Sequence, residues 1–175
     1  ASGGTVNWAT RRAEAGDGAT SDAATFQECD LNGNSGGNWQ TIARGITLFD
    51  TSDLPDNDVI SAATCTLWIT QLTDAYTDKM SMVQSTPNTN TTLVQGDYAQ
   101  VGGASPTKQA TDIALSAMNV DELVTYTLNA TGLGNISKTG VSKFGWRSTF
   151  DADDAEPSAV LDAHTSVFVA SAEET

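Results

Sequence analysis

Basic residues are scarce in this 175-residue chain: Lys and Arg number 8 against 22 Asp and Glu, a formal net charge of −14. Such an excess of acid repels phosphate backbones and anionic membrane surfaces, so nucleic-acid and membrane partners are not expected. No apolar run approaches the roughly 20 residues of a membrane-spanning helix. The chain opens on Ala1-Ser2-Gly3-Gly4 without a charged and apolar leader, a start that suits a trimmed initiator Met and a cleaved signal equally. Cysteine is limited to Cys29 and Cys65, which excludes a four-thiolate zinc site. Both lie in strand-like segments, and two readings stay open: a disulfide between neighbouring strands, or two buried, reduced thiols. Histidine occurs once, at His164, so any Ser-His-Asp or Cys-His arrangement would have to use it, and it leads into a strand rather than lying in a loop. No motif marks out two of the carboxylates for glycoside hydrolysis.

Also missing is any dozen-residue window with apolar positions at helical spacing. Alternation is abundant instead. Ala63, Cys65, Leu67 and Ile69 interleave with Thr64, Thr66, Trp68 and Thr70, giving one apolar and one Thr-rich face. Val124, Tyr126 and Leu128 likewise oppose Leu123, Thr125 and Thr127. Residues 42–49 are apolar on both faces and read as one central strand. Further strands are expected at Val6 to Arg11, Ala23 to Cys29, Lys79 to Gln84, Thr111 to Leu115, Lys143 to Phe150 and Thr165 to Ala170. Turn-rich segments such as "NGNSGGN", "SDLPDND" and "VGGASPT" separate them, with a turn of helix allowed at "LVQGDYAQ" and "ATGLGNIS". The sum is an all-β chain of about eight or nine strands with little helix: an antiparallel β-sandwich, a jelly roll, as a single domain over 1–175 with flexible polar ends at 1–4 and 171–175.

Three features are candidate sites. "DADDAEP" places Asp151, Asp153, Asp154 and Glu156 close together, a pattern of oxygen ligands for Ca2+ that Glu14 or Asp17 could complete, although it lacks the Gly and distal Glu of an EF-hand. Of the four tryptophans, Trp8, Trp39, Trp68 and Trp146, Trp68 lies on the Thr-rich face of its strand and is the best candidate for stacking on a sugar ring. Asn90, Asn129 and Asn135 begin glycosylation sequons of a kind that a chain rich in Asn and Thr produces by chance.

"RGITLFDTSDLPDNDVISAATCTLWI", residues 44–69, resembles the DNRLRE-type jelly-roll domains related to carbohydrate-binding modules. Arg44, Phe49, Asp50, Ser52, Leu54, Pro55, Ile60, Ala62 and Leu67 stand at the matching positions, and downstream stretches to residue 154 look like the tails of such domains in phage and metagenomic virion proteins. The resemblance implies a sandwich corner in which Asp50 and Ser52 accept turn hydrogen bonds and Leu54 anchors the turn on the core. It also implies a non-enzymatic protein of a virion surface, a capsid decoration or head/tail accessory protein, with capsid or tail neighbours and homo-oligomers as partners. A secreted carbohydrate-binding module or adhesin-like domain, with glycans as partners, is the other function it implies. The final strand, "TSVFVASAEET", departs from the family and leaves open whether it pairs at home or with a neighbouring copy.

Overall fold

The computed structural model describes residues 4–16 and 26–170, so Asp17 and the chain ends at 1–3 and 171–175 lie outside the described residues. Among the described residues nine strands build two antiparallel sheets: β1 (Phe26–Asn34), β2 (Asn38–Ala43), β3 (Gly45–Asp50), β4 (Thr64–Asp74), β5 (Lys79–Gln84), β6 (Ile113–Ala114), β7 (Leu123–Thr127), β8 (Val141–Ser148) and β9 (His164–Ala170). One sheet runs β2-β1-β9-β4-β7 and the other β3-β8-β5-β6. With β2 set aside as a hairpin extension of β1, the remaining eight strands follow jelly-roll order, wrapping between the sheets in two Greek keys. Short helices among the described residues are α1 (Trp8–Ala13), α2 (Asp97–Gln100), α3 (Ala130–Gly134) and α4 (Thr149–Asp153).

Alternation decides which side chains form the core. On β4, Cys65, Leu67 and Ile69 are buried while Thr64, Thr66 and Trp68 are exposed, as the period of two predicts. These residues meet Met80, Met82, Phe144 and Trp146 from the opposite sheet, and Tyr126 lies against Trp146 with ring centroids 5.1 Å apart. A second cluster gathers Trp8, Leu31, Trp39, Ile42 and Tyr98 beneath α1.

Several expectations are corrected. Val6 to Arg11 is not a strand: Val6 makes a single bridge to Trp39, and then Asn7 accepts Thr10 N–H at 2.9 Å and starts α1. A strong cap followed by the helix formers Ala and Arg outweighs the short alternating pattern. Residues 42–49 are not one central strand, because the chain leaves the five-stranded sheet after Ala43 and enters the four-stranded sheet at Gly45, with Arg44 at the crossing. Apolar groups on both faces thus reflect two strands in two sheets. The strand from Lys143 ends at Ser148 and gives way to α4, and the strand expected over Thr111 to Leu115 shrinks to two residues. Leu54 is 39% exposed and belongs to none of the core clusters. Thr51 holds that corner instead, its hydroxyl donating to Ser137 O at 2.6 Å and lying 2.7 Å from Ser142 Oγ, while Asp50 accepts the Ser52 N–H at 3.0 Å. The last strand, β9, pairs with both β1 and β4 inside its own sheet, which settles its pairing.

A bridge between Cys29 and Cys65 is also corrected. Both thiols are free and buried. β9 separates their strands, and the Val167 that faces Cys29 faces Leu72 rather than Cys65 on β4, so the two Cα atoms are more than two strand spacings apart, beyond the about 7 Å a disulfide can span. Burial pushes the Cys29 thiol up to about 12 and the Cys65 thiol up to about 11.

Gly145 on β8 packs closely against the residue that follows α2. A Cβ there would lie 2.4 Å from Val101 Cγ1, 3.2 Å from Val83 Cγ2 and 3.3 Å from Ser85 Cβ. Gly145→Ala is expected to cost about 1–3 kcal/mol through overpacking, read as a lower urea midpoint at unchanged slope; an unchanged midpoint would contradict the packing described.

Candidate functional site

Acid and base meet at one buried point. Asp151, in α4, is fully buried and accepts two guanidinium forks. Arg44 donates Nε to Oδ2 at 2.8 Å and Nη2 to Oδ1 at 2.9 Å, and Arg147 donates Nε to Oδ2 at 2.7 Å and Nη2 to Oδ1 at 2.8 Å. Arg12 adds Nε to Oδ1 at 3.1 Å and Nη2 to the Asp151 carbonyl at 2.8 Å. Bidentate pairs of this kind fix orientation as well as charge. Burial alone would push the Asp151 carboxyl up, but the hydrogen bonds and charges of Arg44 and Arg147 hold it down at about 2.

Each arginine then reaches outward to a different element. Arg44 lies 3.9 Å over the Tyr98 ring and donates to Tyr98 O at 3.0 Å. Arg147 donates to Val101 O at 3.0 Å and Gly103 O at 2.7 Å. Arg12 donates to Ala104 O at 3.2 Å and pairs with Asp154 at 2.6 Å. The cluster therefore joins α1, the sheet crossing, β8, α4 and the loop after α2.

The carboxylates expected to hold Ca2+ do not converge in this arrangement. The four carboxylates of the acidic loop turn to cations and indole donors rather than to one another: Asp151 to the arginines, Asp153 to Lys108 at 2.8 Å, Asp154 to Arg12 and Trp8 Nε1, and Glu156 to Trp39 Nε1 at 2.9 Å. Glu14 pairs with Arg11 at 2.6 Å. Among the described residues no three His, Cys, Asp or Glu side chains stand where they could share a metal ion. The sequence pattern of alternating acids is the same for a metal loop and for a set of ion pairs, and only the distant cations distinguish them. Arg12 and Arg147 went unmarked in the sequence; the available signal was that a chain with four arginines and 22 acids rarely spends arginine without a partner in view.

The other candidate lies on the outer surface of the five-stranded sheet. Trp8, Trp39 and Trp146 are in the cores, whereas Trp68 is 42% exposed, as its place on the Thr-rich face predicts. Directly across from it on β7 stands Leu123, 63% exposed, followed by the pairs Thr66–Thr125 and Thr64–Thr127. The Thr66 and Thr125 hydroxyls are 3.0 Å apart. These six side chains carry no charge, and β7 is the outermost strand of its sheet. His164 opens β9 opposite Asn32 and is exposed. Asn129 and Asn135, two of the sequon residues, are occupied: Asn129 caps α3, its Oδ1 accepting Gly132 N–H at 2.9 Å, and Asn135 Nδ2 donates to Lys143 O on β8 at 3.3 Å.

No family model matches the chain, and no curated protein matches it.

Two further carboxyls set the pH response. Burial pushes Asp30 up to about 7 and Asp78 up to about 6, the latter opposed by donors from Ser148 and the Lys79 N–H. A folded-state value above the unfolded value near 3.9 means that folding takes up protons as pH falls, so stability rises from about pH 8 to about pH 5. Asp151 works in the opposite sense: its depressed value contributes stability above about pH 4 that is lost as pH falls toward 2. Urea midpoints should therefore peak between about pH 4 and 5, with the rise from neutral pH reduced in Asp30→Asn. A midpoint that is flat or falling between about pH 8 and 5 would contradict this assignment.

Proposed function

We propose that this chain is a non-enzymatic structural protein of a virion surface, a phage capsid decoration or head/tail accessory protein. The observation that supports this reading is the uncharged face around Trp68 and Leu123 beside the outermost strand β7. A net charge of −14 keeps copies apart over most of the surface, and contact concentrates where charge is absent. An exposed Trp and Leu next to an edge strand offer apolar area and backbone hydrogen bonds to a protein neighbour. The resemblance of residues 44–69 to DNRLRE-type domains of virion proteins points the same way. Partners in this reading are copies of the chain and the capsid or tail proteins of the assembly.

Carbohydrate binding is the second reading, favoured by one feature: the flat Trp68 ring is exposed among Thr hydroxyls, a surface suited to a pyranose face. In that case the chain works outside the cell as a glycan-binding module.

Light scattering on the full chain at micromolar concentration separates the two. The structural reading expects a closed oligomer that Leu123→Lys converts to monomers, with the melting midpoint of the fold retained. A monomer at every concentration that is retained on a polysaccharide resin, and released by Trp68→Ala, overturns it in favour of the second reading.

A further inference from the structure

The loop pinned by Arg147 and Arg12 frames a cavity of its own. Between the end of β5, the end of α2 and residues 102–107 lies a depression of about 320 Å³, the size of a small-ligand site. The residues that line it include the amide-bearing Gln84 and Gln100 and the hydroxyl-bearing Thr86, Ser105 and Thr107, and none of its lining side chains is charged. In a chain with 22 acids, that neutrality argues against a cation, and the lack of Lys or Arg argues against an anion.

Local geometry keeps the depression open and fixed. Thr86 Oγ1 donates to Gln100 Oε1 at 3.0 Å, which orients this amide with its N–H groups as the donors it presents. The Thr107 carbonyl accepts the Gln84 N–H at 3.2 Å and Gln109 Nε2 at 2.8 Å, which fixes this wall without using the Thr107 hydroxyl. Gly102 and Gly103 adopt φ of 73° and 62°, left-handed values that favour glycine. A Cβ at Gly102 would lie 2.3 Å from Pro106 Cβ, and at Gly103 the space is empty to 4 Å, so the missing side chain leaves the mouth clear. Arg147 holds the Val101 and Gly103 carbonyls and Arg12 the Ala104 carbonyl, so the loop is rigid before a ligand arrives.

We infer that this depression binds a neutral, hydroxyl-rich ligand: one sugar residue of a glycan. Amides and hydroxyls both donate and accept, and together they match the paired hydroxyls of a sugar. The site is independent of the Trp68 face, since β5 belongs to the four-stranded sheet and Trp68 to the five-stranded one. It does not rest on either reading of that face.

The test is an amide NMR titration of the full chain with glucose, galactose, mannose, xylose and N-acetylglucosamine, each to about 50 mM, a range that detects millimolar binding. At least one sugar should saturably shift the amides of Gln84, Gln100, Gly102 and Gly103 while leaving the Trp68 indole unmoved. Gln100→Ala and Thr107→Val should each weaken that binding about fivefold or more, the loss of one hydrogen bond, with melting midpoints kept. The inference is overturned if no sugar moves these amides, if the shifts gather at Trp68 alone, or if binding is unchanged in both variants.

Discussion

The pairing of Asp151 with three arginines is the constraint on which the rest of this sandwich depends. A carboxylate that is fully buried costs several kcal/mol in lost hydration unless its oxygens are filled, and here both oxygens and the carbonyl of the same residue are filled by guanidinium donors. Two of those guanidiniums are almost wholly buried themselves, so each needs the carboxylate as much as it needs them. Removing any member strands charge in the interior. The chain elements that carry these groups are consequently held in one arrangement: Arg12 brings α1, Arg44 the crossing between sheets, and Arg147 the strand β8 that faces the loop after α2.

That arrangement sorts the surface. Cations are few, and three of the eight serve in this cluster, with Lys108 taking Asp112 and Asp153 beside it. The remaining acids dominate the exterior, and the uncharged areas stand out against them. One is the outer face at Trp68, flat and close to a sheet edge. The other is the depression after α2, concave and lined by amides and hydroxyls. The function proposed draws on this contrast between acidic surroundings and neutral areas.

The strands were readable wherever one face is buried. Residues 64–70 and 123–128 alternate in sequence as they do in space, and the exposure of Trp68 follows from its neighbours Thr66 and Thr70. Arg44 could be marked as structural by resemblance, yet its role needs Asp151, 107 residues further along. The acidic loop was misread for the same reason: local spacing shows that Asp151, Asp153, Asp154 and Glu156 are close together, and the partners that pull them apart lie on α1, β2 and the segment before β6. Residues 42–49 were read as one strand because nothing in a two-sided apolar run announces a change of sheet. The depression after α2 had no local signature, since it is assembled from strand end, helix end and loop by contacts that Arg147 and Arg12 make across the fold.

Urea unfolding of Asp151→Asn beside Asp154→Asn tests the central claim most directly. The buried lock predicts a loss of about 3–5 kcal/mol for Asp151→Asn, or failure to fold, because three guanidiniums are left without their counter-charge. It predicts less than about 1 kcal/mol for Asp154→Asn, whose side chain is largely exposed. Equal, small losses in the two variants would show that the fold does not depend on Asp151.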